Sequence, residues 1–434
     1  MACWSVGSLS LIQRDHIASN NYYKLKESSN IGVNVSLISD IVRLEALSSS
    51  FSPSAPIDQK SLFAGRITQF TDVLNTINQK GQHSLLFGER GVGKTSLARV
   101  LTQVAEVNGR PVLSSSVNCD QTMSFSSLWH KVLREITFTM TKRGPGFTQE
   151  KHVSVQPLSE QLPEIVTPDD VRHLLSRLGK CLIVIDELDR LQDPNVTSLL
   201  ADTIKTLSDH AVDATLLLVG VADSVEALIS EHQSIERALV QIRMPRMSRP
   251  ELDEIIERGL RAATMTIVPA ARDKIGALSQ GLPHYTHLLA QHAGQRAATT
   301  GRTEVTIEDV RSAIDHALSR AQQSIISVHH KATNSPRENL YRQVLLACAL
   351  AKQDSLGYFA SVDVRQPLSD IMHRAYDIPA FSQHLKAFCE PDRGPVLQRT
   401  GTARRFRFRF ENPLLQPFVI MDGIKTGLIS EALI

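Results

Sequence analysis

The chain has 434 residues, of which 42% are hydrophobic and 21% charged, and its formal net charge at pH 7 is +2. A chain of this length exceeds one ordinary hydrophobic core, which predicts about two or three domains. Because the net charge is nearly neutral, nucleic-acid binding would need a local basic patch. The N-terminus lacks the basic region of a signal peptide, no apolar run is long enough to span a membrane, and the five cysteines are widely spaced, all of which indicates a cytoplasmic protein with reduced thiols.

The first 56 residues are rich in serine and asparagine. This composition predicts an N-terminal extension, residues 1–56, that is poorly ordered or peripheral apart from one short helix near 37–47, and a functional arm is the alternative. Pro53 and Pro56 then mark a linker into Phe63-Ala64-Gly65-Arg66, and a helical pattern follows up to Gly81.

A phosphate-binding loop comes next, because the stretch Gly88-Glu89-Arg90-Gly91-Val92-Gly93-Lys94-Thr95 reads G-x-x-x-x-G-K-T. It follows a strand-like apolar run at 84–87 and precedes a helical pattern from Ser96 to Val104, so a glycine-rich turn with an exposed lysine is the poorer interpretation. The three glycines allow positive φ, so that backbone amides can surround a phosphate. Lys94 is then expected to reach the β- and γ-phosphates, and the Thr95 hydroxyl to bind Mg²⁺.

The middle of the chain alternates strand and helix patterns. A strand is predicted over 111–117 and a helix over 125–140, and the segment 141–166 reads as a loop insertion with little periodicity. Thr167 is expected to cap a helix that runs to Leu178.

The continuous apolar run 181–185 predicts a strand that is buried on both faces and ends at Asp186 and Glu187. In a parallel sheet, ligands bind at this end of the strands. Asp186 is therefore expected to hold Mg²⁺, and Glu187 to accept a proton from the attacking water or to orient it. The alternative is an acidic strand end that only begins a loop.

Another buried strand is predicted over 215–221, and Asp223 follows it. Asp223 is either a hydrogen-bonding partner of the γ-phosphate or the N-cap of a helix over 225–229, and the pattern favours neither. Arg237 precedes a fifth strand near 240–244. Five strands that alternate with helices predict an α/β fold, a doubly wound parallel sheet, over residues 57–248.

The remainder of the chain is predicted to form a helical lid over 249–330, which ends with a helix over 307–325. A winged-helix domain of three helices followed by a two-stranded wing is predicted over 336–434. The wing is a hairpin of strands 395–399 and 404–410. Arg405, Arg407 and Arg409 share one face of the second strand, and three phenylalanines share the other. The arginine stripe is either a contact for duplex DNA or a solvated face over a phenylalanine-lined core.

These motifs resemble the AAA+ and STAND-type P-loop ATPases, and the order of parts is most similar to the origin-recognition initiator branch. The resemblance implies that 63–66 lies near the adenine, that Asp223 is the first sensor residue and that Arg237 is a finger for a neighbour's γ-phosphate. His284 stands where initiators have a sensor arginine, and Gly281-Leu282-Pro283 is similar to the STAND turn near ADP. The family usually has asparagine, serine or threonine where Asp223 stands, and an aspartate there would add negative charge beside the γ-phosphate. The departures at His284 and Asp223 imply slow hydrolysis and a switch.

The resemblance and the motifs together define the expected sites. Contacts to ATP or ADP are expected from Phe63, Gly65, Arg66, Gly88, Glu89, Arg90, Gly91, Val92, Gly93, Lys94, Thr95, Ser96, Pro283 and His284. Catalysis is expected from Glu187, Asp223 and Arg237, and Mg²⁺ binding from Thr95 and Asp186.

The predicted function is an ATP-hydrolysing switch whose nucleotide state positions the winged helix to recruit DNA or a protein, as in initiator-like, transposition-accessory or defence-sensor ATPases. A nucleotide-dependent homo-oligomer or a protein partner is expected, and no membrane. The alternative is a non-catalytic, nucleotide-gated adaptor that binds only protein.

Overall fold

A computed structural model of the protein describes residues 35–53, 65–107, 110–143, 151–221, 235–334, 340–402 and 405–433. The helices are α1 (Val35–Ser50), α2 (Ile67–Ile77), α3 (Lys94–Val104), α4 (Phe125–Arg134), α5 (Pro168–Leu178), α6 (Pro194–Asp209), α7 (Arg249–Ala262), α8 (Pro269–Ser279), α9 (Pro283–Thr299), α10 (Ile307–Ser319), α11 (Gln323–Thr333), α12 (Tyr341–Leu350), α13 (Ser361–Met372), α14 (Ile378–Ala387) and α15 (Leu415–Lys425). The strands are β1 (His83–Phe87), β2 (Glu106–Val107), β3 (Arg110–Pro111), β4 (Leu113–Asn118), β5 (Thr137–Arg143), β6 (Lys151–Pro157), β7 (Cys181–Asp186), β8 (Ala214–Gly220), β9 (Leu239–Arg243), β10 (Thr266–Ile267), β11 (Glu304–Val305), β12 (Phe359–Ala360), β13 (Leu397–Thr400) and β14 (Arg407–Phe410).

A five-stranded sheet with the order β4-β7-β8-β1-β9 forms the centre of the α/β part. The pairs β4 with β7 and β7 with β8 are parallel. Every residue of β7 and β8 is buried, as the continuous apolar runs predict for strands covered on both faces. The predicted doubly wound α/β sheet is confirmed.

The insertion between α4 and α5 was expected to be a loop over 141–166, and this prediction is wrong. Strands β5 and β6 form an antiparallel hairpin in which Thr137 pairs with Pro157 and Arg143 with Lys151. The preceding helix ends at Arg134, short of the predicted 140, because the threonine- and phenylalanine-containing run that follows favours strand over helix. Helix α5 begins as predicted, with a reciprocal capping box between Thr167 and Asp170.

The chain forms two compact units. The first contains residues 1–41, 73–85 and 105–240, and the second contains 42–72, 86–104 and 241–434. The chain passes from one unit to the other within β1 and within β9, so the phosphate loop belongs to the second unit and Asp186 to the first. The predicted domain bounds stay a prediction.

Part of the N-terminal extension is packed in the core of the second unit, which corrects the expectation that it is poorly ordered. Leu47 and Phe51 at the end of α1 are almost fully buried. A Cβ on Gly259 would lie 2.3 Å from the Phe51 ring, and one on Gly294 would lie 2.8 Å from Leu47. These two glycines in α7 and α9 therefore provide the space for both side chains.

The C-terminal part, from residue 340, has the predicted order of three helices, α12 to α14, followed by the hairpin β13 and β14. The short strand β12 joins β14, so the sheet has three antiparallel strands in the order β12-β14-β13. The predicted helix 307–325 is two helices, α10 and α11, and the final helix α15 was not predicted. Phe408 and Phe410 are buried, which confirms the phenylalanine-lined face of the hairpin.

Candidate functional site

The phosphate loop connects β1 to α3, which begins at Lys94. Gly91 and Gly93 have φ of +83° and +96°, the left-handed region that favours glycine. Gly88 was also expected to have a positive φ, but glycine is needed there for a different reason. A Cβ at this position would lie 2.3 Å from the carbonyl oxygen of Met244. Gly88 therefore allows a close approach of two backbone segments, while the other two glycines shape the turn.

Lys94 and the two residues after it form the first turn of α3, and the N-terminus of a helix attracts anions. The Lys94 ammonium donates to the carbonyl oxygens of Gly88 at 2.9 Å and Glu89 at 2.7 Å. Thr95 and Ser96 are half-buried, and Arg90 is exposed. The loop thus offers an ammonium group, hydroxyls and a helix N-terminus to an anion.

Arg66 is buried beside the phosphate loop and ties it to the segment after β9. Its Nη2 donates to the carbonyl oxygens of Val92 at 3.1 Å and Pro245 at 2.6 Å. Its backbone N–H donates to Glu251 Oε1 at 3.0 Å, and the Gly65 N–H donates to Glu254 Oε2 at 2.9 Å. Burial lowers the pKa of Arg66, and the nearby Glu251 carboxylate opposes this shift.

In the structure, the Arg66 side chain therefore binds backbone carbonyl groups of the protein. The neighbouring Phe63, which was expected near the adenine, lies outside the described residues.

Pro283 and His284 begin α9. A Cβ placed on Gly93 would lie 3.8 Å from Pro283 Cγ, so the proline packs beside the phosphate loop. His284 Nδ1 donates to the Pro53 carbonyl at 2.6 Å, which leaves Nε2 as an acceptor in the neutral ring. Burial lowers the pKa of His284, so at pH 7 the ring does not supply the positive charge of a sensor arginine.

Asp186 and Glu187 lie at the end of β7 in the first unit. Asp186 is buried, and its Oδ1 accepts the Glu187 N–H at 2.7 Å. Glu187 has φ of +59° and ψ of +41°, a conformation that is uncommon for a residue with a side chain and costs free energy. Its carboxylate pairs with Arg190 at 3.1 Å, and both side chains are nearly half exposed. Such backbone strain is concentrated at functional sites.

Of the other two expected catalytic residues, Arg237 is among the described residues and Asp223 is not. Arg237 is exposed in the turn before β9, and its expected role as a finger stays a prediction. Asp223 lies outside the described residues, so both of its interpretations stay open.

The arginine stripe of the hairpin is only partly available. Arg407 pairs with Asp354 at 2.5 Å, and Arg409 Nε donates to Gln398 Oε1 at 2.5 Å. Both guanidinium groups also lie over the Tyr358 ring, at 5.3 Å and 4.9 Å from its centre. They do share one face, as predicted, but Arg407 already has an anionic partner, and Arg405 is exposed.

Several polar residues at these sites were not predicted. Arg190 is three residues from Glu187 but belongs to no motif, whereas Arg246 and Glu251 lie 157 and 185 positions from Glu89 and Arg66, the residues they bind. No sequence signal therefore pointed to these residues. Among the described residues, no group of three or more histidine, cysteine, aspartate or glutamate side chains could hold a metal ion. No helix in the described part of the chain is both long and apolar enough to cross a membrane.

The sheet order, the glycine geometry of the loop and the acidic end of β7 define a P-loop α/β domain. Residues 77–229 match the family model described as AAA domain. This match confirms the predicted resemblance to AAA+ P-loop ATPases for that part of the chain.

No curated protein matches the sequence. Among solved structures, the chain is similar to Cdc6p from Pyrobaculum aerophilum, with 16% identity, a TM-score of 0.44 and coverage of 88% of this chain and 99% of that one. The ORC1 protein of Aeropyrum pernix, solved in complex with DNA, has 16% identity, a TM-score of 0.45 and coverage of 89% and 98%. The ORC2 protein of the same organism, solved as ADPNP-ADP complexes, has 12% identity, a TM-score of 0.47 and coverage of 86% and 99%.

Proposed function

We propose that this protein binds ATP with Mg²⁺, hydrolyses it slowly to ADP and phosphate, and uses its nucleotide state to position the C-terminal part for the recruitment of DNA or a protein. The observation that carries the proposal is the phosphate loop between β1 and α3, with Lys94 at the helix start and left-handed glycines before it. A structural turn needs neither a lysine nor a helix N-terminus directed at an anion.

Each group then has a specific role. Lys94 and the amides of the loop bind the β- and γ-phosphates, and this binding keeps the triphosphate in place. The Thr95 hydroxyl and the buried Asp186 carboxylate each offer an oxygen donor of the kind that Mg²⁺ prefers, so the chemistry of each residue suits that ion. When bound, Mg²⁺ neutralises charge on the phosphate oxygens. Glu187 orients the attacking water or accepts its proton.

Two observations support slow turnover. The neutral His284 provides no positive charge to the phosphates, whereas cationic groups at this reaction speed it strongly. The Glu187 carboxylate is paired with Arg190, so it has to exchange this partner for water before it can act. A slow ATPase of this kind acts as a timer, because each nucleotide state persists.

The direct test is phosphate release from ATP by the full chain, with Mg²⁺ and with a chelator, together with titration of ATP and ADP. The proposal expects binding of both nucleotides and Mg²⁺-dependent release of phosphate. Binding without any phosphate release would support the adaptor alternative, and absence of binding would refute the proposal.

The adaptor alternative keeps the nucleotide but replaces DNA by a protein partner. The pairing of Arg407 with Asp354 favours it, because a neutralised arginine contributes less to phosphate contacts. Replacing Arg405, Arg407 and Arg409 by serine in the full chain tests the point. If the stripe binds DNA, the slope of log affinity against log salt should fall by about 2–3. An unchanged slope assigns DNA binding to another surface, and loss of a protein partner supports the adaptor.

A further inference from the structure

The acidic side chain of the phosphate loop is buried and bound by an arginine. Glu89 Oε2 lies 2.6 Å from Arg246 Nε, and Glu89 Oε1 lies 3.1 Å from Arg246 Nη2. The Glu89 side chain is 4% exposed and that of Arg246 14%. Removing one partner of such a pair leaves a buried charge uncompensated, so this bidentate contact restrains the loop strongly.

Arg246 also binds the last helix. Its Nη1 donates to Gln416 Oε1 at 2.6 Å, and Gln416 on α15 is almost fully buried. The Gln416 amide Nε2 donates to the Ala349 carbonyl at 2.7 Å, which orients its oxygen toward the arginine. We call the three side chains Glu89, Arg246 and Gln416 the Arg246 bridge.

Two further contacts from the C-terminal part reach the same loop. A Cβ on Gly357 would lie 1.9 Å from Glu89 Oε1, so a side chain at this position would displace the carboxylate. A Cβ on Gly91 would lie 3.3 Å from Leu414 Cδ2, so Leu414 packs over the turn of the loop. The residues after 340 therefore contact the phosphate loop directly at two points, and the buried bridge links them to it at a third through Arg246.

The bridge and the phosphate-binding lysine meet at one residue. Lys94 donates to the carbonyl oxygens of Gly88 and Glu89, and Glu89 carries the carboxylate of the bridge. The ammonium has three N–H donors, so binding to both the β- and the γ-phosphate leaves at most one donor for these two carbonyls. The exchange therefore removes a charge-assisted hydrogen bond from the loop at Gly88-Glu89.

We propose that the Arg246 bridge couples the phosphate loop to the C-terminal part of the chain. The bridge stabilises the arrangement in which Lys94 binds the Gly88 and Glu89 carbonyls. ATP, which takes Lys94 for its phosphates, weakens the bridge and loosens α15. This inference rests on the proposed ATP binding and names how that site is regulated. Coupling is reciprocal, so a cut bridge must strengthen ATP binding by the same factor by which ATP weakens the bridge.

The experiment compares two glutamine-to-leucine variants of the full chain. Gln416→Leu removes the hydrogen bond between Gln416 and Arg246. Gln398→Leu removes a similar bond, from Arg409 in the hairpin, and serves as the matched control. Titration with a non-hydrolysable ATP analogue should give a Kd about fivefold or more lower for Gln416→Leu, the lower end of typical coupling between sites, and an unchanged Kd for the control.

Hydrogen exchange on the wild type provides the second readout. Saturation with the analogue should reduce the protection of α15 and of residues 353–358, which include Gly357. If the wild type binds the analogue but both variants match it, or exchange in these segments is unchanged, the coupling is refuted and ATP binding stands. If the wild type does not bind the analogue, both proposals fail. Should Gln416→Leu not fold, the exchange measurement decides alone.

Discussion

His83 makes the stability of the first unit dependent on pH. The ring lies at the start of β1, is fully buried, and accepts the backbone N–H of Leu216 through Nδ1 at 3.1 Å. Burial lowers the pKa of His83 from 6.5 to about 4. Since the unfolded chain takes up a proton near pH 6.5 and the folded one does not, stability is lost as pH falls from about 6.5 to 4. At about 1.4 kcal/mol per pH unit, the loss is about 3 kcal/mol.

The variant His83→Gln isolates this effect, because its amide oxygen can still accept the Leu216 N–H and does not titrate. Urea unfolding is followed between pH 4 and 7 by the fluorescence of Trp129, which is buried in the same unit, in a Trp4→Phe background. Between pH 6.5 and 4 the wild type should lose about 3 kcal/mol more than the variant, since the titration of all other groups cancels. Parallel pH profiles would refute the reasoning.

Three further predictions concern the nucleotide. Lys94→Ala should abolish ATP binding in a titration, because the loop amides cannot replace the lost ammonium; unchanged affinity would contradict the phosphate-loop assignment. Glu187→Gln should keep nucleotide binding but slow phosphate release by about 10²–10⁴-fold, the usual scale for a positioned base. Turnover at the wild-type rate would mean that another group activates the water. Arg237→Ala should lower turnover and leave nucleotide affinity nearly intact, and a strictly monomeric protein with full activity at every concentration would exclude a role in trans.

Local patterns in the sequence were sufficient for the central sheet and its loop. The apolar runs that became β7 and β8 needed no tertiary information, because a strand covered on both faces has to be apolar throughout. The phosphate loop is equally local, since its glycines, lysine and helix start are consecutive. The Thr167 capping box is local for the same reason.

The hairpin β5 and β6 was missed because its stability comes from pairing between strands. Neither strand has a strong pattern alone, and the register that joins Thr137 to Pro157 depends on residues about twenty positions apart. The burial of Phe51 was missed for a similar reason, as the space beside Gly259 exists only in the folded unit.

The sequence by itself determined that glycines, a lysine and a helix start follow one another in the loop and that two carboxylates end a buried strand. Tertiary structure alone decided which polar groups bind the side chains of the loop and of the strand end. Glu89 was expected to contact the nucleotide as part of the loop, and only folding brings its side chain to Arg246, which is 157 positions further along the chain. A hydrogen bond depends on distance in space, and residues this far apart leave no periodic trace in a single sequence.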